Sequence, residues 1–269
     1  METNYDKQAR MARELFLKYD QQAMIGRYDL PHDENYLYLV FLGDPCRISR
    51  SSGQIERLRG ASCLRADGAV AQAASGLCTS TRKETAAGER VLVQERIWEP
   101  CVDFNAVMTI YDALCYPKER PALAGEWCPL ANLQVAGSPN ADIFNAKYAE
   151  AFSGHTDRLR QACEALGGRP PQISAGADIC WEFDVFPFFQ LQLRFWEKDE
   201  EFPAKLQLLW DRNSLQFMHF ETLYYLMGVL LEKLRKLSGE AYEDGRLPDI
   251  RLKENDSFQL EGRRLTNSS

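Results

Sequence analysis

Histidine is scarce in this chain: His32, His155 and His219 are the only three among 269 residues. They stand far apart, and no H-E-x-x-H pair is present, which excludes the usual local histidine metal sites. No G-x-G-x-x-G or G-x-x-x-x-G-K-[ST] run occurs, so the local phosphate cradles of nucleotide enzymes are missing. A G-x-S-x-G nucleophile elbow is missing as well. The longest strongly apolar run, Tyr36 to Leu42, is far short of the ~20 residues that cross a bilayer. No membrane partner is expected. Cations are outnumbered too, with a net charge of −7. Phosphate backbones are bound by clustered Lys and Arg, so no nucleic-acid partner is expected either. The opening residues, Met1 to Lys7, carry no apolar segment of the secretory kind, and the expectation is a cytoplasmic protein.

That compartment decides how the eight cysteines read. Cys46, Cys63, Cys78, Cys101, Cys115, Cys128, Cys163 and Cys180 are scattered, with no C-x-x-C pair. A reducing environment favours free thiols over disulfides. Zinc ribbons and iron–sulfur clusters place at least two ligands in one tight turn, and this chain has no such turn. What is present is ordinary globular material, 45% hydrophobic and 26% charged, with enough apolar residues for a sizeable core.

Along the chain, residues 4 to 25 read as one amphipathic helix, opened by a capping pair at Thr3 and Asp6 and ended by Gly26. Tyr36 to Leu42 reads as a buried strand, broken by Gly43-Asp44-Pro45 and followed by two shorter strands in a meander. Residues 60 to 89, rich in Ala, Gly, Ser and Thr, read as an irregular excursion with too little apolar area to offset ordering entropy. A helix is predicted over 102–116, stopped by Pro117. Residues 121–133 read as extended. Another helical region opens near Asn140, breaks at Ser153 to Thr156, restarts, and closes at Gly167-Gly168. The clearest strand follows: Phe189, Leu191, Leu193 and Phe195 alternate with Gln190, Gln192, Arg194 and Trp196. Leu206, Leu208 and Trp210 alternate in the same way, making a hairpin. Phe220 to Leu237 carries a wide apolar stripe and is the strongest helix. Residues 238–269 read as a polar tail. Together these features predict one α+β domain over 1–237, a mostly antiparallel sheet covered by helices.

Four candidates invite chemistry. On the polar face of the late hairpin, Gln192, Arg194 and Trp196 stand in a row. An Arg beside an indole suits a planar, anionic ligand, the plain alternative being an ordinary helix-covered sheet. The connecting loop holds Glu197, Asp199, Glu200 and Glu201. Such carboxylates can converge on a hard cation or rim the ligand site. Lys198 inside the loop, and the lack of a glycine, fit a solvated tip equally well. His219 lies close in sequence to Asp211 and Glu221 and is a candidate to ligate a metal or move a proton, although Asp211 belongs to the other end of the hairpin from the acidic tip. Cys101, just ahead of a helix, is a weaker nucleophile candidate: Asp103 beside it opposes the helix dipole, and no histidine is marked as its base.

Phe189 to Trp196, the run Asp199-Glu200-Glu201-Phe202-Pro203, Leu206 to Asp211, and the helix through Phe220, Leu223 and Leu231 together resemble DUF3786, a family of unknown function. The resemblance covers about Glu126 to Leu237, and the Leu42–Gly43 turn is similar to the family's N-terminal part. It implies a soluble protein of anaerobic bacteria or archaea, with relatives sometimes joined to an iron–sulfur domain whose closely spaced cysteines are lacking here. It supplies no catalytic residues. The leading expectation is therefore binding of a small ligand or metal-containing cofactor in anaerobic metabolism. The alternatives are an interaction or scaffold subunit docking a redox protein partner, and an enzyme using a carboxylate or thiol in a pocket.

Overall fold

Thr3 and Asp6 form a reciprocal capping box in a computed structural model of the chain, which describes residues 3–59, 97–133, 141–171 and 176–239. The excursion expected at 60–89 and residues 240–269 of the expected tail lie outside the described residues. The capping box opens α1, Asn4–Phe16. The single helix expected over 4–25 is in fact two, because Asp20 takes an extended backbone and its carboxylate accepts from the amides of Gln22 and Ala23. This side-chain cap competes with helix continuation and starts α2, Gln21–Tyr28. Gly26 lies inside α2, which ends instead at Asp29 in the left-handed region, φ 51°.

The first sheet runs β1 (Tyr36–Phe41), β2 (Asp44–Ser49), β3 (Ile55–Arg59) and β4 (Ile97–Pro100), each antiparallel to its neighbour. Leu42 and Gly43, at φ 46° and 77°, form the two-residue turn between β1 and β2. Positive φ at both positions matches the right-handed twist of a hairpin, but a leucine there is strained by about 1–2 kcal/mol. The surroundings hold it: the Leu42 amide donates to the Val185 carbonyl, and the side chain is 1% exposed.

Helix α3, Phe104–Cys115, is capped by Asp103. Its last carbonyls are satisfied from α2, where Arg27 donates to Leu114 O and Tyr28 Oη to Ala113 O. That is the usual need of a helix C-terminus met by side chains. The second sheet is ordered β5 (Trp127–Pro129), β8 (Lys205–Asp211), β7 (Phe189–Trp196), β6 (Ile179–Phe186), again antiparallel. Ahead of its last three strands come α4, Ala141–Phe152, and α5, Thr156–Ala165. Gly167, φ 79°, closes α5: its amide donates to Glu164 O and that of Gly168 to Cys163 O, the double bond of a Schellman cap.

Helix α6, Phe220–Leu237, is buried along most of its length, with Leu223, Leu226, Leu230, Leu231 and Leu234 fully enclosed. Helices α3, α4 and α5 pack on it. The inward residues of both sheets, Leu37 and Ile48 from the first and Phe183, Leu191 and Trp210 from the second, share one apolar core with it. The described residues thus form an α+β fold of six helices and two four-stranded antiparallel sheets.

A polar tie joins α6 to the first sheet. Lys233 Nζ donates to Leu42 O at 3.0 Å and to Asp44 Oδ2 at 2.8 Å, and the Lys233 side chain is 19% exposed. Replacing it with methionine keeps the stem but leaves Leu42 O without this donor and Asp44 Oδ2 with the longer contact from Arg57, at 3.4 Å. Lys233→Met is expected to lower the unfolding free energy by about 1–3 kcal/mol. Urea denaturation checks this, and an unchanged midpoint contradicts the tie.

Candidate functional site

The alternation of β7 sorts its side chains cleanly. Phe189, Leu191, Leu193 and Phe195 are fully buried in the core. The intervening residues line the outer face, where cross-strand register sets them in rows. Trp196 lies opposite Lys205, Arg194 lies between Cys180 and Gln207, and Gln192 lies between Glu182 and Leu209. The three residues expected from sequence to contact a ligand therefore sit on one sheet face, but they are not equivalent. Gln192 is 2% exposed, so on this face it is covered and serves to support its neighbour.

That support is specific. Arg194 Nε donates to Gln192 Oε1 at 2.7 Å, and Gln192 Nε2 donates to Glu182 Oε1 at 3.2 Å. The chain of bonds fixes the guanidinium by one nitrogen. Its two terminal nitrogens meet no acceptor among the described residues, and no carboxylate pairs with it. Neighbouring arginines differ: Arg169 is bidentate to Asp184 at 2.6 and 3.0 Å, and Arg47 reaches Glu56 at 2.6 Å. Beside Arg194, the Trp196 indole donates to Gly176 O at 3.1 Å, and Lys205 Nζ lies 5.4 Å from its ring centre. The result is a part-buried guanidinium held in place, a fixed aromatic plane and a second cation. A free guanidinium fork is able to receive a planar anion edge-on.

The acidic loop is less convergent than its sequence suggests. Partial burial pushes the Glu197 carboxyl up, but bonds from Ser153 Oγ and the Gly154 and Lys198 amides outweigh it, and the group is held below the usual carboxylate range. Glu197 thereby pins the end of α4 to the hairpin. Asp199 Oδ1 accepts from the amides of Glu201 and Phe202 and closes the loop's own turn. Glu200 and Glu201 are exposed. No group of three or more His, Cys, Asp or Glu is arranged to hold a metal ion among the described residues.

His219 finds a partner that sequence proximity did not suggest. Its Nδ1 lies 2.7 Å from Asp112 Oδ1, while Asp112 Oδ2 accepts from the His219 amide at 2.8 Å and from Thr222 Oγ1 at 2.6 Å. One carboxylate from α3 thus caps the start of α6 and orients the imidazole. Asp211 is occupied elsewhere, accepting from the amides of Ala124, Gly125 and Asn213. The ring of Tyr116 lies 4.0 Å from that of His219. The hydrogen bond to Asp112 raises the His219 pKa, against the opposing effect of partial burial, with Glu221 adding a smaller push upward. Asp112 had one sequence signal: it is the sole charged residue of α3.

Five thiols of the described residues are shifted away from the thiolate. Burial pushes Cys101 up, as it does Cys46, Cys128 and Cys163, and it drives Cys115 to about 12. A helix-depressed Cys101 thiolate is therefore not what the fold produces, because desolvation outweighs the amide of Asp103.

A family model described as a domain of unknown function, DUF3786, matches residues 85–233. This is more than half of the 269 residues. The chain belongs to the DUF3786 family. The match begins ahead of Glu126 and stops short of Leu237, so Leu42 and Gly43 lie outside it, whereas Asp112, Gln192, Arg194, Trp196 and His219 fall within the DUF3786 segment. No curated protein and no solved structure matches the chain. No helix among the described residues is long and apolar enough to cross a membrane.

A raised imidazole pKa has a defined consequence for stability. Folding favours the protonated ring, so this contribution is complete below the ordinary value of about 6.5 and is lost as pH rises through the higher folded value. In Asp112→Asn the His219 titration midpoint, followed by proton NMR of the ring, is expected to fall toward the ordinary value. An unmoved midpoint contradicts the pairing.

Proposed function

We propose that this DUF3786 protein binds a small planar anion, alone or as the organic part of a metal-containing cofactor, on the outer face of β6, β7 and β8. Arg194 and Trp196 make the contacts, and Gln192 acts as the positioning residue beside them. Lys205 attracts the ligand, and the loop through Asp199, Glu200 and Glu201 forms the rim. The observation that carries this reading is the Arg194 guanidinium, fixed by a nearly enclosed amide yet without an acceptor for its terminal nitrogens among the described residues. Those nitrogens are not enclosed, so an anion replaces water there, and a charge-assisted pair contributes about 1.5–3 kcal/mol. An aromatic stack adds about 0.5–1.5 kcal/mol.

A second reading, an interaction subunit for a redox protein, is favoured by the loop tip, where Phe202 is 66% exposed next to the exposed Glu200 and Glu201. An apolar ring next to two carboxylates suits a basic, partly apolar partner surface.

Thermal-shift titration with aromatic carboxylates and nucleoside monophosphates separates the two. On the ligand reading, at least one such anion stabilises the protein, and Arg194→Gln or Trp196→Leu weakens its binding by about tenfold or more. Gln192→Leu weakens it as well, although Gln192 does not touch the ligand. A panel without any stabilising anion, or binding that survives both contact variants, overturns the ligand reading.

A further inference from the structure

Two buried polar atoms, Trp210 Nε1 on the core face of the same sheet and Asn145 Oδ1 on α4, have no partner among the described residues. Trp210 is fully buried, and Asn145 is 6% exposed. One is a donor only and the other an acceptor. Each, left unmet in the interior, costs about 1–3 kcal/mol, so two on adjoining elements call for an explanation.

Their elements are packed together. Helix α4 lies against β8. Asn145 shares the buried side of α4 with Tyr148, Ala149 and Phe152, as the three- and four-residue spacing requires. Glu197, bonded to Ser153 and Gly154, pins the end of α4 beside the start of β8. From that pin α4 leads back about 12 Å to Asn145 at the helical rise, and β8 leads on about 17 Å to Trp210 at the strand rise. Cys128 is the cross-strand neighbour of Trp210 on β5 and is only partly buried. It offers a third, weak polar contact and marks the thinly covered side of the seam.

We infer that the seam between α4 and β8 is a binding site for one neutral hydroxyl group, which accepts from Trp210 Nε1 and donates to Asn145 Oδ1. The chemistry follows from the pair: a hydroxyl is both acceptor and donor, whereas an anion has nothing to donate to the amide oxygen and a cation nothing to accept from the indole. A resident water has this chemistry, and so does the alcohol group of a small organic molecule. The site lies on the opposite face of the sheet from Arg194 and does not depend on the ligand reading.

A high-resolution crystal structure of the full chain tests it. A single peak within hydrogen-bond distance of both atoms identifies water, and extended density at the same point identifies a retained alcohol. A dry seam overturns the inference. A double-mutant cycle in solution gives an independent answer through the melting temperature. If a hydroxyl bridges the pair, Asn145→Leu and Trp210→Phe each lower the melting temperature by several degrees, and the double variant loses clearly less than their sum. If nothing bridges them, Asn145→Leu removes an unmet polar atom and leaves the melting temperature unchanged or higher, with additive losses.

Discussion

Helix α6 must be enclosed, and most of the fold follows from that requirement. Its apolar stripe is enclosed along most of its length, and each buried side chain contributes about 1.5–3 kcal/mol only while its neighbours stay in place. An enclosed helix also needs its ends satisfied. Asp112 reaches across from α3 to the amide of His219 and the hydroxyl of Thr222. Further along, Lys233 reaches the turn between β1 and β2. The strained Leu42 is tolerable because Val185 and Lys233 both hold its backbone. The hairpin turn, the neighbouring sheet and the helix therefore constrain one another.

The outer face of the second sheet takes its rigidity from this arrangement. Arg194 does not need to search for its position, since Gln192 and Glu182 hold it through a short chain of bonds. Preorganised donors lose little entropy when an anion arrives. The same logic separates Arg194 from Arg169, whose fork is already filled by Asp184. It also separates the outer face from the acidic loop, in which Glu197 and Asp199 are used to shape the chain.

Much of this was legible in the sequence where periodicity is local. Phe189 to Trp196 alternates with period two, and Phe220 to Leu237 carries a helical stripe; both form as expected. Thr3 with Asp6 is a short-range capping signal and also holds. The first helix was misread because its apolar spacing runs on past Asp20, whose cap is a local competitor that periodicity does not register. Strand β6 alternates only in part: Ile179, Trp181 and Phe183 are buried and Glu182 and Asp184 less so, but Cys180 is buried as well, which blurs the period of two. The pairing of Asp112 with His219 was out of reach, since it joins segments 107 residues apart. The burial of Gln192 was hidden for a related reason: alternation gives the face a residue lies on, while cover from other parts of the fold sets its exposure.

On the proposed ligand reading, Arg194 is an anchored guanidinium that receives a planar anion. Nitrogen NMR of the arginine side chains, recorded while benzoate is added to the full chain, tests it most directly. The account expects the Arg194 terminal nitrogens to shift and slow their exchange with water at saturable concentrations, with Arg169 unmoved. A spectrum in which Arg194 responds no more than Arg169 or the exposed arginines contradicts it.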